Sequence, residues 1–366
     1  MTRYLLGALA AALAWTLRDL PAQLGGRAAG ASLARSPQYR DGLFRNRVDA
    51  LAAPGARARL ARELFFGKQR RKPAGAVPLV EPEPPVGQGV HLTWYGHSSS
   101  LVELDGALIL LDPVWGERVS PLPFGGPRRL HEAPAPVEAL PAVDAVVISH
   151  DHYDHLDLAT VRALLRTQTA PFVVPLGVGA HLRRWRVPEQ RIIELDWSES
   201  TTVAGVEIIA TEAQHFSGRA LKRDDTLWAS YALIGPEHRV FYTGDTGYFP
   251  GFAEIGAAHG PFDATLVQIG AYVRDWPGIH MTPEEGVAAH LDLRGGLLVP
   301  VHWATFVLGV QDWSEPVDRL WAEAKAREVA VAVPRPGERV DVASPAPVVP
   351  WWKLLEPQAP AHNPHP

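Results

Sequence analysis

The chain has 366 residues, 46% of them hydrophobic and 20% charged, with a formal net charge of −5. These figures are ordinary for a soluble globular protein; they exclude a multi-span membrane protein and a wholly disordered chain, and they give no electrostatic footprint for nucleic acid. With no cysteine there are no disulfides, thiolate metal sites or thiol nucleophiles, so any metal chemistry falls to the 15 histidines and the carboxylates.

Leu5 to Leu17 form an apolar Ala- and Leu-rich run behind Arg3, as long as a signal-peptide core but short of the ~20 residues that span a bilayer. Ala29-Gly30-Ala31 has the small residues of a cleavage site, yet Arg18 and Asp19 interrupt the run and the gap to the triplet is long, as in an uncleaved interfacial helix. Residues 1–35 are therefore read as a signal or membrane-associated segment that places the protein in the cell envelope. A cytoplasmic amphipathic helix is the alternative. Residues 36–88 form an arm, in which the helix-like stretch Leu60 to Phe66 runs into Lys68-Gln69-Arg70-Arg71-Lys72. Those cations either meet anionic headgroups or offset a helix dipole. Five prolines and three glycines from Pro73 to Gly89 resist helix and central strand, marking a linker or wrapping arm.

Strand patterns follow at Val90–Tyr95, Leu101–Leu104 and Ala107–Asp112, with Asp105-Gly106 as the hairpin turn between the last two. Apolar runs at 145–149, 172–174, 191–195, 206–211, 229–234, 240–243, 265–269, 297–301 and 329–333 then alternate with helical stretches, among them Leu158–Arg166. Hairpins first and alternation afterwards predict an α/β layered domain over 89–344. Residues 345–366, rich in proline and alanine, are expected to be an irregular tail, with His362 and His365 incidental. Most of the 12 tryptophans are expected in the core. Trp351-Trp352, followed by Lys353 and two leucines in proline-rich surroundings, are the exception, with little to pack against and a composition suited to a membrane interface.

The chemistry concentrates in Ser149-His150-Asp151-His152-Tyr153-Asp154-His155, directly after the buried-strand run 145–148. Each neutral imidazole needs partners for both nitrogens, so three histidines and two aspartates within six residues point to metal or to a dense polar network. His150 and His152 can converge on one ion from an extended turn, while Asp154 and His155 lie where the chain enters the next helix and reach toward a second. His215, Asp245 and His302 each sit just past a predicted strand, repeating the same placement. Thr282-Pro283-Glu284-Glu285 reads as a helix start with a capping box and needs no catalytic role.

These seven residues, in this order, resemble the metallo-β-lactamase superfamily: His150, His152, Asp154 and His155 match its HxHxDH motif, and His215, Asp245 and His302 its downstream ligands, over about residues 88–340. The resemblance implies a four-layer αββα sandwich with the metals at one edge of the facing sheets. It also implies one zinc on His150, His152 and His215, a second on Asp154, His155 and His302, and Asp245 bridging. Iron and manganese suit the same ligands.

Within the superfamily the chain is more similar to the N-acylphosphatidylethanolamine-hydrolysing phospholipase D group and its bacterial relatives. The residues that carry this likeness are Asp41-Gly42-Leu43-Phe44-Arg45-Asn46, Thr93-Trp94-Tyr95-Gly96-His97-Ser98, Gly244-Asp245-Thr246-Gly247-Tyr248, Ile279-His280-Met281-Thr282-Pro283 and Val301-His302-Trp303-Ala304-Thr305-Phe306. Ile279 departs from that group's polar Gln. Two zinc ions with two carboxylates and a hydroxide leave a formal charge of about +1, which a phosphodiester monoanion neutralises. The expected reaction is hydroxide attack on phosphorus of a phospholipid or small phosphodiester at a membrane surface, with Asp154, Asp245, His280 and His97 as catalytic candidates. His280 contacts the phosphate or donates a proton, and His97 either orients a ligand or meets substrate. Two alternatives stand: a lactonase or small-ester hydrolase of the ascorbate-6-phosphate lactonase type, and a non-catalytic metal-stabilised envelope protein. Oligomeric state stays open.

Overall fold

The computed structural model describes residues 17–48, 55–219, 222–273 and 277–356. Nearly all of the N-terminal apolar run, and His362 and His365, lie outside the described residues.

The arm opens with α1 (Leu20–Gln23), the short hairpin β1 (Tyr39–Arg40) and β2 (Leu43–Phe44), and α2 (Ala56–Phe66). β3 (Val90–Gly96), β4 (Ser99–Leu104), β5 (Ala107–Leu111), β6 (Ala145–Val147), β7 (Phe172–Pro175) and β8 (Ile192–Leu195) begin the main domain. They are followed by β9 (Ser200–Val203), β10 (Val206–Thr211), β11 (Ser230–Ile234), β12 (Arg239–Tyr242), β13 (Phe262–Gln268), β14 (Gly295–Val301), β15 (Ala330–Val331) and β16 (Arg339–Asp341). Two seven-stranded sheets result, ordered β16-β3-β4-β5-β6-β7-β8 and β15-β14-β13-β12-β11-β10-β9. The turn at Asp105-Gly106 is the expected one: both residues have positive φ and Leu104 pairs with Ala107.

The central strands are apolar on both faces because both are covered. Ile109, Leu111 and Val147 face the second sheet's Ile208, Tyr231 and Tyr242, while Leu110, Val146 and Val174 alternate outward onto Val161, Leu164 and Leu182. Those outer partners belong to α3 (Leu158–Thr167) and α4 (Gly179–Arg184), which cover the first sheet. Phe252, Val287 and Leu320, from α5 (Gly251–His259), α6 (Pro283–Asp292) and α7 (Glu315–Ala326), cover the second. This is the expected four-layer αββα sandwich. Asp157 caps α3 by accepting from Ala159 N and Thr160 N, and α6 carries the capping box read from Thr282 to Glu285.

Two parts of the chain differ from the sequence reading. Strands β9 and β16 and the β1–β2 hairpin carry no apolar signal long enough to mark them; each is a short element at a sheet edge or on the arm. The expectation for Trp351 and Trp352 is corrected outright. Both rings are buried in the main core, Trp351 5.4 Å from Trp303, and Trp352 6.1 Å from Trp303 and 6.2 Å from Trp321. Their indole N–H groups donate to Val333 O and Asp318 Oδ1. Tertiary neighbours supply the packing that the local sequence lacks.

Candidate metal centre

The residues singled out by motif and placement converge at one rim of the sandwich, where strands of both sheets end. The loop after β6 brings His150, His152, Asp154 and His155; β10, β12 and β14 lead into His215, Asp245 and His302; the β3–β4 turn brings His97 and the segment before α6 brings His280. Gly244 is required where it stands. Its φ is +54°, and a Cβ there would lie 2.7 Å from that of Ser149.

The loop owes its shape to a few fixed contacts. His155 N and Leu156 N both donate to His152 O, forming a single helical turn. Arg219 grips both sides of that turn, donating from Nη1 to Asp151 O (2.9 Å) and Leu156 O (2.6 Å) while its guanidinium lies 4.0 Å from the Tyr153 ring centroid. Asp151 faces away from the cluster toward His181 Nε2 at 3.1 Å and Gly218 N at 2.7 Å. Burial opposes its charge, but these contacts hold its carboxyl below the usual carboxylate range.

The potential ligand atoms at this rim form overlapping groups, two of them without Asp245. His150, His152 and His215 make one, with His152 Nδ1 2.8 Å from His150 Nε2 and 3.3 Å from His215 Nε2. His97, Asp154, His155 and His302 make the other, with Asp154 Oδ2 at 3.0, 3.5 and 3.3 Å from the three Nε2 atoms. Asp245 Oδ2 stands between them, 3.2 Å from His155 Nε2, 3.1 Å from His302 Nε2 and 3.9 Å from His215 Nε2. His280 Nδ1 lies 3.8 Å from the same oxygen.

Tautomers are set from outside the cluster. His150 Nδ1 pairs with Ser149 Oγ, His155 Nδ1 donates to Asp112 and His215 Nδ1 to Ile279 O, which leaves each Nε2 turned inward. The Ile279 contact runs through its backbone, so the departure noted at that position does not disturb His215.

The residues fit divalent metal. His155 Nε2 and His302 Nε2, both turned toward Asp245 Oδ2, and Asp245 Oδ1 are buried without a hydrogen-bond partner. Donors ~2.0–2.2 Å from a tetrahedral ion stand about 3.3–3.6 Å apart, close to most of these spacings. Burial disfavours charge throughout, yet Asp245 and Asp154 outweigh it, holding His155 well above the ordinary imidazole range and His302 at about 9. His150 and His215 are pushed well below that range by burial, with His155 adding to the effect at His150. One half of the site thus calls for positive charge and the other offers neutral nitrogen lone pairs.

Three supporting residues went unassigned in the sequence reading. Asp112, at the end of β5, accepts hydrogen bonds from Ser149 N, Ser149 Oγ, His155 Nδ1 and the Tyr242 hydroxyl. Its one signal was its place just past a strand. Asn46, on the arm, donates to His215 O at 2.8 Å and accepts from His215 N at 3.1 Å, and Arg219 holds the loop as described. Asp112→Ala is expected to weaken zinc binding by ~10–100-fold, the range for losing a carboxylate behind a metal-facing histidine. Titration against a chromogenic chelator measures it, and wild-type affinity would reject the role.

A cleft of about 280 Å³ opens over the cluster. His152, Asp154, Asp245, His280 and His302 form its floor, and Leu60, Phe216, Ala271, Val273, Ile279 and Leu308 its walls. His97 lies beneath, buried, and meets Asp154 rather than the cleft. Burial, with the His302 charge, lowers its pKa to about 3.

A sequence profile described as the beta-lactamase superfamily domain matches residues 108–303. The chain is 52% identical to an uncharacterized protein of Mycobacterium tuberculosis, over 94% of this chain and 96% of the other. It is 36% identical to N-acyl-phosphatidylethanolamine-hydrolyzing phospholipase D 1 of Caenorhabditis elegans, over 66% of this chain and 71% of that protein. Among solved structures, Igni18, a metallo hydrolase from the archaeon Ignicoccus hospitalis, aligns with a TM-score of 0.55 and 25% identity, covering 69% of this chain and 97% of that one.

Proposed function

The chain belongs to the metallo-β-lactamase superfamily of metal-dependent hydrolases, and on that premise we propose that it is a di-zinc phosphodiesterase cleaving a glycerophospholipid such as an N-acylphosphatidylethanolamine. The observation that carries this reading is the cleft: apolar walls over a His/Asp floor, with no Lys or Arg among its described lining residues. Such walls accept acyl chains, whereas a small sugar-phosphate lactone calls for fixed cations around its phosphate. The Caenorhabditis elegans relative is named for a substrate of the same class, N-acyl-phosphatidylethanolamine.

In this reading His150, His152 and His215 would hold one ion and Asp154, His155 and His302 the second, with Asp245 within reach of both. Bound there, the metals supply Lewis acidity and bring the pKa of water near neutrality. The protein's part is placement. His97 acts through Asp154, to which it is bonded at 3.0 Å, and is a positioning residue. His280, on the cleft floor, faces the phosphate or the departing oxygen. In the balanced reaction the oxygen of water joins phosphorus, the P–O bond to the N-acylethanolamine breaks, and the alcohol oxygen leaves with a proton. A membrane surface is where such a substrate is met, and among the described residues no helix is long and apolar enough to cross one.

The test is mass spectrometry after incubating zinc-loaded protein with N-acylphosphatidylethanolamine in detergent, beside a chelator-treated control. Phosphatidic acid and N-acylethanolamine, both absent from the control, are the expected products. Protein holding two metals that yields neither product would overturn the substrate assignment and leave the hydrolase fold standing.

A further inference from the structure

Between Ala56 and Lys72 the chain carries Arg57, Arg59, Arg62, Lys68, Arg70, Arg71 and Lys72 against the single acid Glu63. That is a net +6 within a chain of −5, so the remaining residues carry −11. Arg59, Arg62, Lys68, Arg70 and Lys72 are exposed. Offsetting the dipole of α2 does not account for this charge. The dipole acts within the last helical turn, that turn holds no basic residue, and the Lys68–Lys72 cations lie beyond it.

Position gives the charge its meaning. Leu60 of α2 is part of the cleft wall above His152, Asp154, Asp245, His280 and His302. Arg71, past the other end of the helix, lines the adjoining cavity that also reaches His302, Ala271 and Leu308. The element therefore touches the cleft over the candidate metal centre at Leu60 and the adjoining cavity at Arg71. It is tied to the domain there, by Arg70 N donating to Asp312 Oδ1 at 2.5 Å and Trp313 N to Arg70 O at 2.9 Å. Between the two cationic groups Phe66 is 79% exposed. A large exposed apolar ring among cations, on an element that also contributes to the wall of an apolar cleft, matches a surface that is anionic outside and hydrocarbon beneath. A polyanionic nucleic acid or acidic peptide would use the cations and leave the ring in water.

We propose that residues 56–72 form a docking element for an anionic bilayer, the cations meeting headgroups and Phe66 entering the acyl boundary, so that the cleft opens onto the lipid layer. The inference deepens the phospholipid reading and rests on it.

Co-sedimentation of the full-length, zinc-loaded chain with vesicles of phosphatidylcholine, with and without phosphatidylglycerol, tests it without requiring turnover. The ratio of binding to anionic over neutral vesicles is expected to be large and to fall with salt. In the triple variant Lys68→Gln, Arg70→Gln, Lys72→Gln it is expected to drop roughly a hundredfold, since each cation near such a surface is worth about fivefold. Metal content and thermal midpoint should match wild type, showing that the loss is not one of folding. Phe66→Ala should weaken binding to both vesicle types. Equal wild-type binding to the two vesicles, an unchanged ratio in the triple variant, or tighter binding to duplex DNA than to anionic vesicles would each overturn the proposal. If anionic preference holds but no phospholipid is hydrolysed, docking stands and the substrate assignment falls.

Discussion

Asp245→Ala is expected to leave the folded protein with fewer than two metals per chain and to lower turnover by ~10³-fold or more, because free water ionises near pH 15.7 and needs the metals to become a nucleophile at neutrality. The size of the effect follows from where the carboxylate sits. It is buried, and one oxygen lies within 3.1–3.9 Å of nitrogen atoms on His155, His302, His215 and His280. It joins His150 and His155 in one set of potential ligand atoms and His215 and His280 in another. Its loss also removes a main source of the negative potential that favours cations at His155 and His302. Metal content by elemental analysis and turnover on a phosphodiester are the paired measurements. Normal turnover in a preparation verified to hold its metals would reject the bridging role and the mechanism built on it. By contrast, His97→Ala should retain both metals less tightly and lose activity in proportion, as expected of a residue that acts through Asp154.

The contrast between these sites and their supports explains what could be read from the sequence. His150, His152, Asp154 and His155 are visible because backbone proximity alone brings them together, and no structural need packs so many imidazoles into six residues. His215, Asp245 and His302 are visible because each repeats one placement, a ligand-type side chain just past a strand, and β10, β12 and β14 do end there. The sandwich was legible for a related reason: strands covered on both faces give continuous apolar runs, as at 107–111 and 297–301. Asp112 follows the same strand-end rule, but a lone aspartate before a proline has no local motif to distinguish it. Its role exists only once β5 and β6 pair and β12 of the facing sheet packs across them, bringing Ser149, His155 and Tyr242 to it. Asn46 is further still from local inference, since its partner His215 is 169 residues away. Strands β9 and β16 escaped because edge strands are short and half-solvated, so alternation has no length over which to show.

Trp352→Ala is expected to destabilise the protein by roughly 3–5 kcal/mol, the range for emptying a buried aromatic site. A local reading of Pro350-Trp351-Trp352-Lys353 suggests a membrane anchor, and the structure shows instead the closing piece of a tryptophan cluster. Trp352 contacts Trp321 and Trp303, while Trp351 contacts Trp303 and Trp313. Trp303, next to His302, stacks on Trp94 at 5.8 Å, and Trp94 donates from Nε1 to His97 O at 2.7 Å. His97 O also receives His302 N, and both histidines sit in the left-handed backbone region, with φ of 53° and 64°, which the surrounding packing must hold. The cavity left by Trp352 therefore lies two rings from the metal rim. The variant should lose stability first and metal affinity more modestly, with its preference for anionic vesicles unchanged. Urea denaturation at a fixed zinc concentration, since bound metal itself shifts the midpoint, separates the two readings. Wild-type stability with weakened vesicle binding would restore the anchor. A lowered midpoint with vesicle binding intact assigns the pair to the core and leaves residues 56–72 as the side that faces the lipid.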